Sequence, residues 1–293
     1  MKWLLSLIIP YWLFIATSTE SREYNLPEQG RLIGTITQHQ IQKGDYFQKL
    51  AEQYNVGFLA LLLANPSVDP FLPTEGKTVI IPTQMLLPYI DYQGIVINLP
   101  ELRLYYFLTG ESKVMVFPIG IGRVGLATPN TTSYISEKNI KPVWRPSQAT
   151  RLRYLNEYGH KLDKEAAPGI NNPFGKYALR LGESVYLLHG SNKRFGIGMR
   201  SSAGCIRLYD NDIKWLFDHV PLGTPVRIIN QTVKMSYERS GVKLMEIHQP
   251  LTEHHGEIRQ VQVTSAINAF IADTPWQQLA LHFDKPKGLV ISL

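Results

Sequence analysis

The chain has 293 residues, 44% of them hydrophobic and 18% charged, with a formal net charge of +6. This balance excludes a disordered or fibrous protein and leaves room for two or three domains. The basic excess favours acidic partners such as an anionic envelope polymer, but no long run of Lys and Arg is present to form a nucleic-acid arm, so nucleic acid is not expected as a partner.

The N-terminus, MKWLLSLIIPYWLFIATSTES, carries Lys2 and then an apolar run from Trp3 to Ala16. Small residues at Ala16 and Ser18 have the spacing a signal peptidase reads. Residues 1–18 are therefore expected to be a signal peptide. The run is shorter than the ~20 apolar residues a stable membrane span needs. Export gives meaning to the single cysteine, Cys205. In an oxidising compartment structural cysteines come in pairs, so a lone thiol is either inert or kept for chemistry.

Residues 19–34 are polar, hold Pro27 and Gly30, and are expected to be a linker. In the unit at 35–83, Asp45 and Gln48 have the spacing of a capping box. Phe47, Leu50, Ala51 and Tyr54 then share one helical face. A second short helix is expected from Gly57 to Ala64, stopped by Pro66, and extended stretches flank the pair. This βααβ pattern, with Gly44-Asp45, Leu50-Ala51, Tyr54, Val56, Leu61, Asn65 and Ile81-Pro82, resembles the LysM module. The resemblance implies a small α+β domain that binds the glycan strands of peptidoglycan. As a separate module it is expected to raise local concentration without touching the chemistry.

From residue 92 the texture changes to extended segments. Leu102, Leu104 and Tyr106 alternate with Arg103 and Tyr105, as in a half-buried strand. An irregular stretch, roughly 140–172, has the character of a disordered insertion or a lid. VYLLHG returns to strand and delivers His189 at its end. A helix is expected from Asp210 or Asn211 to Pro221, with Ile213, Leu216, Phe217 and Val220 on one face, and TPVRII is a further strand. Residues 230–293 form a C-terminal extension with a hairpin around Ser240-Gly241.

HGSNKRFGIGMRSSAGCIR, His189–Arg207, holds the chemistry. A free thiol is mostly protonated at neutral pH and needs a base or a positive environment. His189 is the candidate base. Gly190, Gly196 and Gly198 let the loop fold back, and Gly204 allows close backbone approach to Cys205. Arg207 adds positive charge, suited to lowering the thiol pKa or holding a carboxylate. Zinc would require three or four ligands, and no second cysteine is present; His160 and His219 lack ligand spacing, and His39, His248, His254, His255 and His282 are expected at the surface. No metal or organic cofactor is expected.

His189-Gly190, the glycines of FGIG and the core Ser202-Ala203-Gly204-Cys205-Ile206-Arg207 resemble the signature of the YkuD-type L,D-transpeptidases. LRLYYF, PIGIG, Thr128-Pro129, PVWRPS, NPFGKYAL and DNDIKWLF are similar to the family's periplasmic branch. The resemblance implies a mostly β, sandwich-like catalytic domain over residues 92–229 and a periplasmic location. It implies that Cys205 attacks a peptidoglycan tetrapeptide stem, that His189 manages the protons, and that Gly190, Ser202, Gly204 and Arg207 support the site or bind substrate. The thioester would pass to a second stem as a 3→3 cross-link, or to an envelope protein. Many members have histidine where this chain has Ala203. Two other classes stay open: a thiol acyl-transferase of sortase type, in which histidine lies much farther upstream, and a non-catalytic LysM peptidoglycan-binding protein.

Overall fold

The computed structural model describes residues 22–293; the expected signal peptide and residues 19–21 of the expected linker lie outside the described residues. The rest of that linker is part of the fold. β1 (Glu23–Asn25) pairs antiparallel with β8 (Lys113–Pro118), Tyr24 facing Val114. β2 (Leu32–Ile33) pairs with β5 (Met85–Leu86). Tyr24, Leu26 and Ile33 pack onto one core cluster with Val114 and Val116. Three apolar residues spread through a polar stretch are too few to show a period, so tertiary packing decides the structure of this segment.

β3 (Thr37–Gln40), α1 (Phe47–Gln53), α2 (Phe58–Ala64) and β4 (Thr78–Ile81) follow as a βααβ unit, with β3 and β4 antiparallel. Phe47, Leu50, Ala51, Val56, Leu61, Val79 and Ile81 form its own core. The capping box does not form. Tyr46 occupies the N-cap position without a side-chain bond. Asp45 turns back instead, accepting from the Gln42 amide at 2.9 Å, His39 Nε2 at 2.8 Å and Lys49 Nζ at 2.8 Å. Burial alone would raise the Asp45 pKa, but the hydrogen bonds from Lys49, His39 and Gln42 outweigh it and hold it at about 2. His39 is thus a structural partner, not a surface residue.

β6 (Gly94–Asn98), β7 (Arg103–Phe107), β9 (Ile121–Gly122), β10 (Thr131–Ile140), β11 (Tyr177–Leu181), β12 (Leu187–His189), β13 (Arg200–Ser202), β14 (Ile206–Arg207) and β15 (Pro225–Ile229) make up the strands of the next unit. The main sheet has nine strands in the order β1-β8-β7-β6-β15-β10-β11-β12-β14. Both faces of its β6–β8 part are covered. Ile95, Ile97, Leu104, Tyr106 and Phe117 pack with Ile213 and Leu216 of α4 (Asp210–His219). Val96, Tyr105, Phe107, Val114 and Val116 pack on the other side with Ile33, Met85 and Leu87. β7 is therefore buried along its whole length, not half-buried as its alternation suggests.

The C-terminal extension is ordered. β16 (Val233–Tyr237) and β17 (Lys243–Ile247) form the expected hairpin, and β18 (Val290–Ser292) adds to β17. α5 (Ser265–Phe270) and α6 (Trp276–Asp284) cover it through Ile267, Phe270, Leu279 and Phe283. A buried ion cluster joins this extension to the main sheet. Lys234 Nζ lies 2.7 Å from Glu101 and 2.9 Å from Glu246, while Arg103 reaches the same two carboxylates at 3.0 and 2.8 Å. His248 Nε2 bonds Glu246 at 2.8 Å, so His248 is buried, contrary to the expectation from sequence. No helix among the described residues is long and apolar enough to cross a membrane.

Candidate active site

Strand pairing brings the two ends of the His189–Arg207 stretch together. β12 and β14 run parallel, with Leu188 opposite Ile206 and His189 opposite Arg207. Cys205 stands just before β14, at the edge of the sheet, level with Leu187 at the start of β12. The Leu208 amide donates to the His189 carbonyl at 2.9 Å and extends the pairing.

The cysteine loop is held by hydroxyls. Ser202 Oγ donates to the Cys205 carbonyl at 2.5 Å and accepts from the Gly204 amide at 3.1 Å. Thr128 Oγ1 donates to the Gly204 carbonyl at 2.8 Å and accepts from Gly122 N at 2.9 Å. Gly204 has φ +107°, and a Cβ there would stand 2.9 Å from the Tyr186 ring. Both the backbone angle and the close ring therefore demand glycine. Gly190 serves packing: a Cβ at this position would meet Asp210 Oδ1 at 2.3 Å.

His189 is 3% exposed. Its Nδ1–H donates to the Gly190 carbonyl at 2.6 Å, which leaves Nε2 as the basic nitrogen of the neutral ring. Phe174 packs edge-on against the imidazole, 4.7 Å between centroids. Burial pushes the His189 pKa down to about 3; the bond to Gly190 opposes this and the Arg207 charge adds to it. Burial raises the Cys205 pKa, against the Leu187 amide and the charges of Arg207 and Arg180. Arg207 therefore acts in the expected direction but does not prevail. The thiol donates to the Val185 carbonyl at 3.8 Å and makes no hydrogen bond to His189 among the described residues. At rest the thiol and the imidazole are both shifted towards their neutral forms.

Arg207 Nη1 reaches Ser201 O at 3.4 Å and Ser201 Oγ at 3.3 Å. Its guanidinium, with Arg123, Arg153 and Lys193, lines a cavity of about 180 Å³ that also touches Trp144, Tyr154, Glu157, Ser202 and Ala203. Four cationic side chains against one carboxylate make this cavity suited to anionic groups. A larger cavity, about 690 Å³, is lined only by C-terminal residues between Asn230 and Gln262 and includes none of the site residues.

The far wall of the 180 Å³ cavity comes from the irregular stretch, which contains α3 (Gln148–Tyr158), capped by Ser147 and ended by Gly159 at φ +74°. Buried Asn172 organises the stretch: its Nδ2 donates to the Pro142 carbonyl at 2.8 Å and its Oδ1 accepts from Phe174 N at 2.9 Å. Asn172 thereby sets the ring that packs on His189. Asn172, Phe174 and Thr128 carried no role in the sequence reading, although each falls in a segment with family resemblance.

Residues 92–228 match the L,D-transpeptidase catalytic domain of the YkuD family. The chain is 44% identical to the probable L,D-transpeptidase YcfS of Escherichia coli K12 over 92% of this chain and 87% of that protein. It is 42% identical to the probable L,D-transpeptidase ErfK/SrfK of Salmonella typhimurium LT2, over 85% of this chain and 82% of that one. Among solved structures it is similar to an L,D-transpeptidase from Mycobacterium smegmatis, with 22% identity and a TM-score of 0.37, covering 47% of this chain and 58% of that one.

Proposed function

The chain belongs to the YkuD family of L,D-transpeptidases, and we propose that Cys205 is its nucleophile and His189 its general acid and base in acyl transfer on peptidoglycan tetrapeptide stems. The observation that carries this reading is the parallel β12–β14 register, which puts the lone thiol and the buried imidazole on neighbouring strands two residues apart in level, while Ser202, Ala203 and Arg207 of the same loop line the cationic cavity.

The chemistry follows from the neutral pair. Cys205 Sγ attacks the carbonyl carbon of the third residue's L-centre while its proton passes to His189 Nε2. As the C–N bond breaks, the same proton goes to the departing D-alanine amine. An incoming amine then attacks the thioester, gives its proton to Nε2, and the thiolate leaves and recovers that proton. Ser202 and Gly204 hold the loop that presents the thiol, and Gly190 lets the end of β12 approach α4. Arg207 offers its charge to a substrate carboxylate.

The acceptor amine belongs to a second stem, giving a 3→3 cross-link, or to an envelope protein, giving a wall tether. The βααβ unit is proposed to bind the glycan strands as a LysM module, and the chain to work in the periplasm in cell-wall biosynthesis after removal of residues 1–18. Incubation with a soluble tetrapeptide stem checks the core of this reading by intact mass. The parent gains the acyl mass and releases D-alanine, whereas Cys205→Ala does neither. D-alanine release by Cys205→Ala at the parental rate overturns the assignment.

A further inference from the structure

The βααβ unit does not hang from the sheet on a tether. It is docked on the loop between His189 and Cys205. The Leu59 amide of α2 donates to the Gly198 carbonyl at 3.2 Å, and the two segments touch backbone to backbone at Gly57 and Gly198. A Cβ on Gly198, whose φ is +71°, would stand 2.2 Å from Phe58 N and 2.4 Å from Gly57 Cα. A second contact flanks the first. Gln48 of α1 is buried, and its Nε2 donates to the Tyr209 hydroxyl at 3.0 Å and to the Arg194 carbonyl at 3.4 Å. Glu52 of α1 pairs with Arg194 at 3.0 Å. A third contact runs from Asn55 Nδ2 to the Val116 carbonyl of β8 at 3.0 Å.

The docked loop leads directly to the site. Ser201 Oγ donates to the Gly196 carbonyl at 3.0 Å, and Ser201 in turn accepts from Arg207. A Cβ on Gly196 would lie 3.1 Å from Arg207 Nη1, so this loop and the guanidinium are in close approach. Tyr209, the other partner of Gln48, follows Leu208, whose amide binds the His189 carbonyl.

We infer that the βααβ unit is a positioning element of the catalytic site, with Gly57 and Gln48 setting the 194–201 loop and, through it, the place of the Arg207 guanidinium. This rests on the acyl-transfer reading of Cys205 and goes beyond it. A unit that only raised local concentration would leave turnover of a small soluble substrate unchanged. A unit that holds the loop changes kcat on a substrate that carries no glycan at all.

Gly57→Ala tests this with little risk to the fold. Gly57 has φ −72°, open to alanine, and the added methyl would meet Gly198 Cα at 3.2 Å and Ala60 Cβ at 3.8 Å. The loop must give by a few tenths of an ångström. Misplacement of that order is expected to lower kcat for D-alanine release from a glycan-free tetrapeptide by about 3- to 10-fold, with KM within about twofold and the melting temperature unchanged. Gln48→Leu and Tyr209→Phe remove the same hydrogen bond from opposite ends, so their effects on kcat should be non-additive in the double variant. Alkylation of Cys205 by iodoacetamide across pH supplies a readout independent of turnover. Displacement of Arg207 withdraws positive charge from the thiol, so Gly57→Ala should be alkylated about threefold more slowly at pH 8. Parental kcat and parental alkylation in both Gly57→Ala and Gln48→Leu overturn the inference. A shifted alkylation profile in a protein whose parent releases no D-alanine sustains the positioning role and removes the proposed reaction instead.

Discussion

Two regions of this molecule bury ionisable groups, and they do it in opposite ways. Around Lys234, Glu101 and Glu246 every buried charged group has an oppositely charged one within hydrogen-bond reach, and both carboxyls are held below their usual range. His189 is buried and Cys205 half-buried, no carboxylate among the described residues shifts the pKa of either, and burial drives both towards their neutral forms. Countercharge fixes a protonation state and serves structure; its absence leaves a proton free to move when a substrate arrives, which is what acyl transfer requires.

The comparison breaks most sharply if one partner is taken from the ionised cluster. Lys234→Met leaves two buried carboxylates to one arginine, and a loss of about 3–5 kcal/mol in urea unfolding is expected, in line with other broken buried pairs. An unchanged unfolding midpoint would mean the cluster contributes nothing net. The neutral pair breaks differently. His189→Gln should cost ~10²-fold or more in acylation, with stability at pH 7 little changed. If most of the rate survives, Arg207 and the local dipoles activate Cys205 without a base.

Acid sharpens the contrast. The folded state holds His189 at about 3, below the unfolded value of 6.5, so it binds fewer protons than the unfolded chain between those limits. The stability this contributes is complete above pH 6.5 and is lost as pH falls towards 3. Glu101 and Glu246 are also lowered, from 4.5: burial alone would raise them, but Lys234 and the neighbouring cations outweigh it. Their contribution is complete above pH 4.5 and is lost below it. Acid unfolding should therefore have two stages, and His189→Gln should flatten the upper one and leave the lower. In the parent, kcat/KM should stay level from about pH 5 to 8, because the neutral pair is the populated form throughout. An acid limb near 6.5 would contradict the buried, neutral imidazole. The smallest effect is expected from Ala203→His in the His189→Gln background. A side chain two residues before Cys205 approaches the thiol from another direction, so acylation should recover by less than about tenfold.

What the sequence disclosed follows from range. Local order was visible: the β-strand ending in His189, the glycine core before Cys205, the 57–64 helix and the hairpin at Ser240-Gly241 all depend on near neighbours. The helix at Gln148–Tyr158 escaped because it buries no residue and so has no apolar stripe to betray it. Lys234 and Glu246 in their strands, and His248 just past β17, look like surface residues, since nothing local says that Arg103 and Glu101, more than a hundred residues away, will meet them. Asp45 was misjudged for the opposite reason: a good local motif lost to His39 and Lys49, which give its carboxylate stronger partners than a helix amide.

The touching backbones of Gly57 and Gly198 bear on how such a chain can be recombined. A module joined by a flexible linker is a cassette, exchangeable for any homologue of its fold. Here the junction includes a contact with no side chain on either face, so a transplanted βααβ unit must bring a glycine, or an equally bare approach, to meet position 198. Chimaeras that cross over between residues 87 and 92 keep β2 to β5 together and β6 to β15 together, yet they separate the two glycines by parentage. Variation at 57 and 198 is therefore constrained as a pair, across 141 positions of chain.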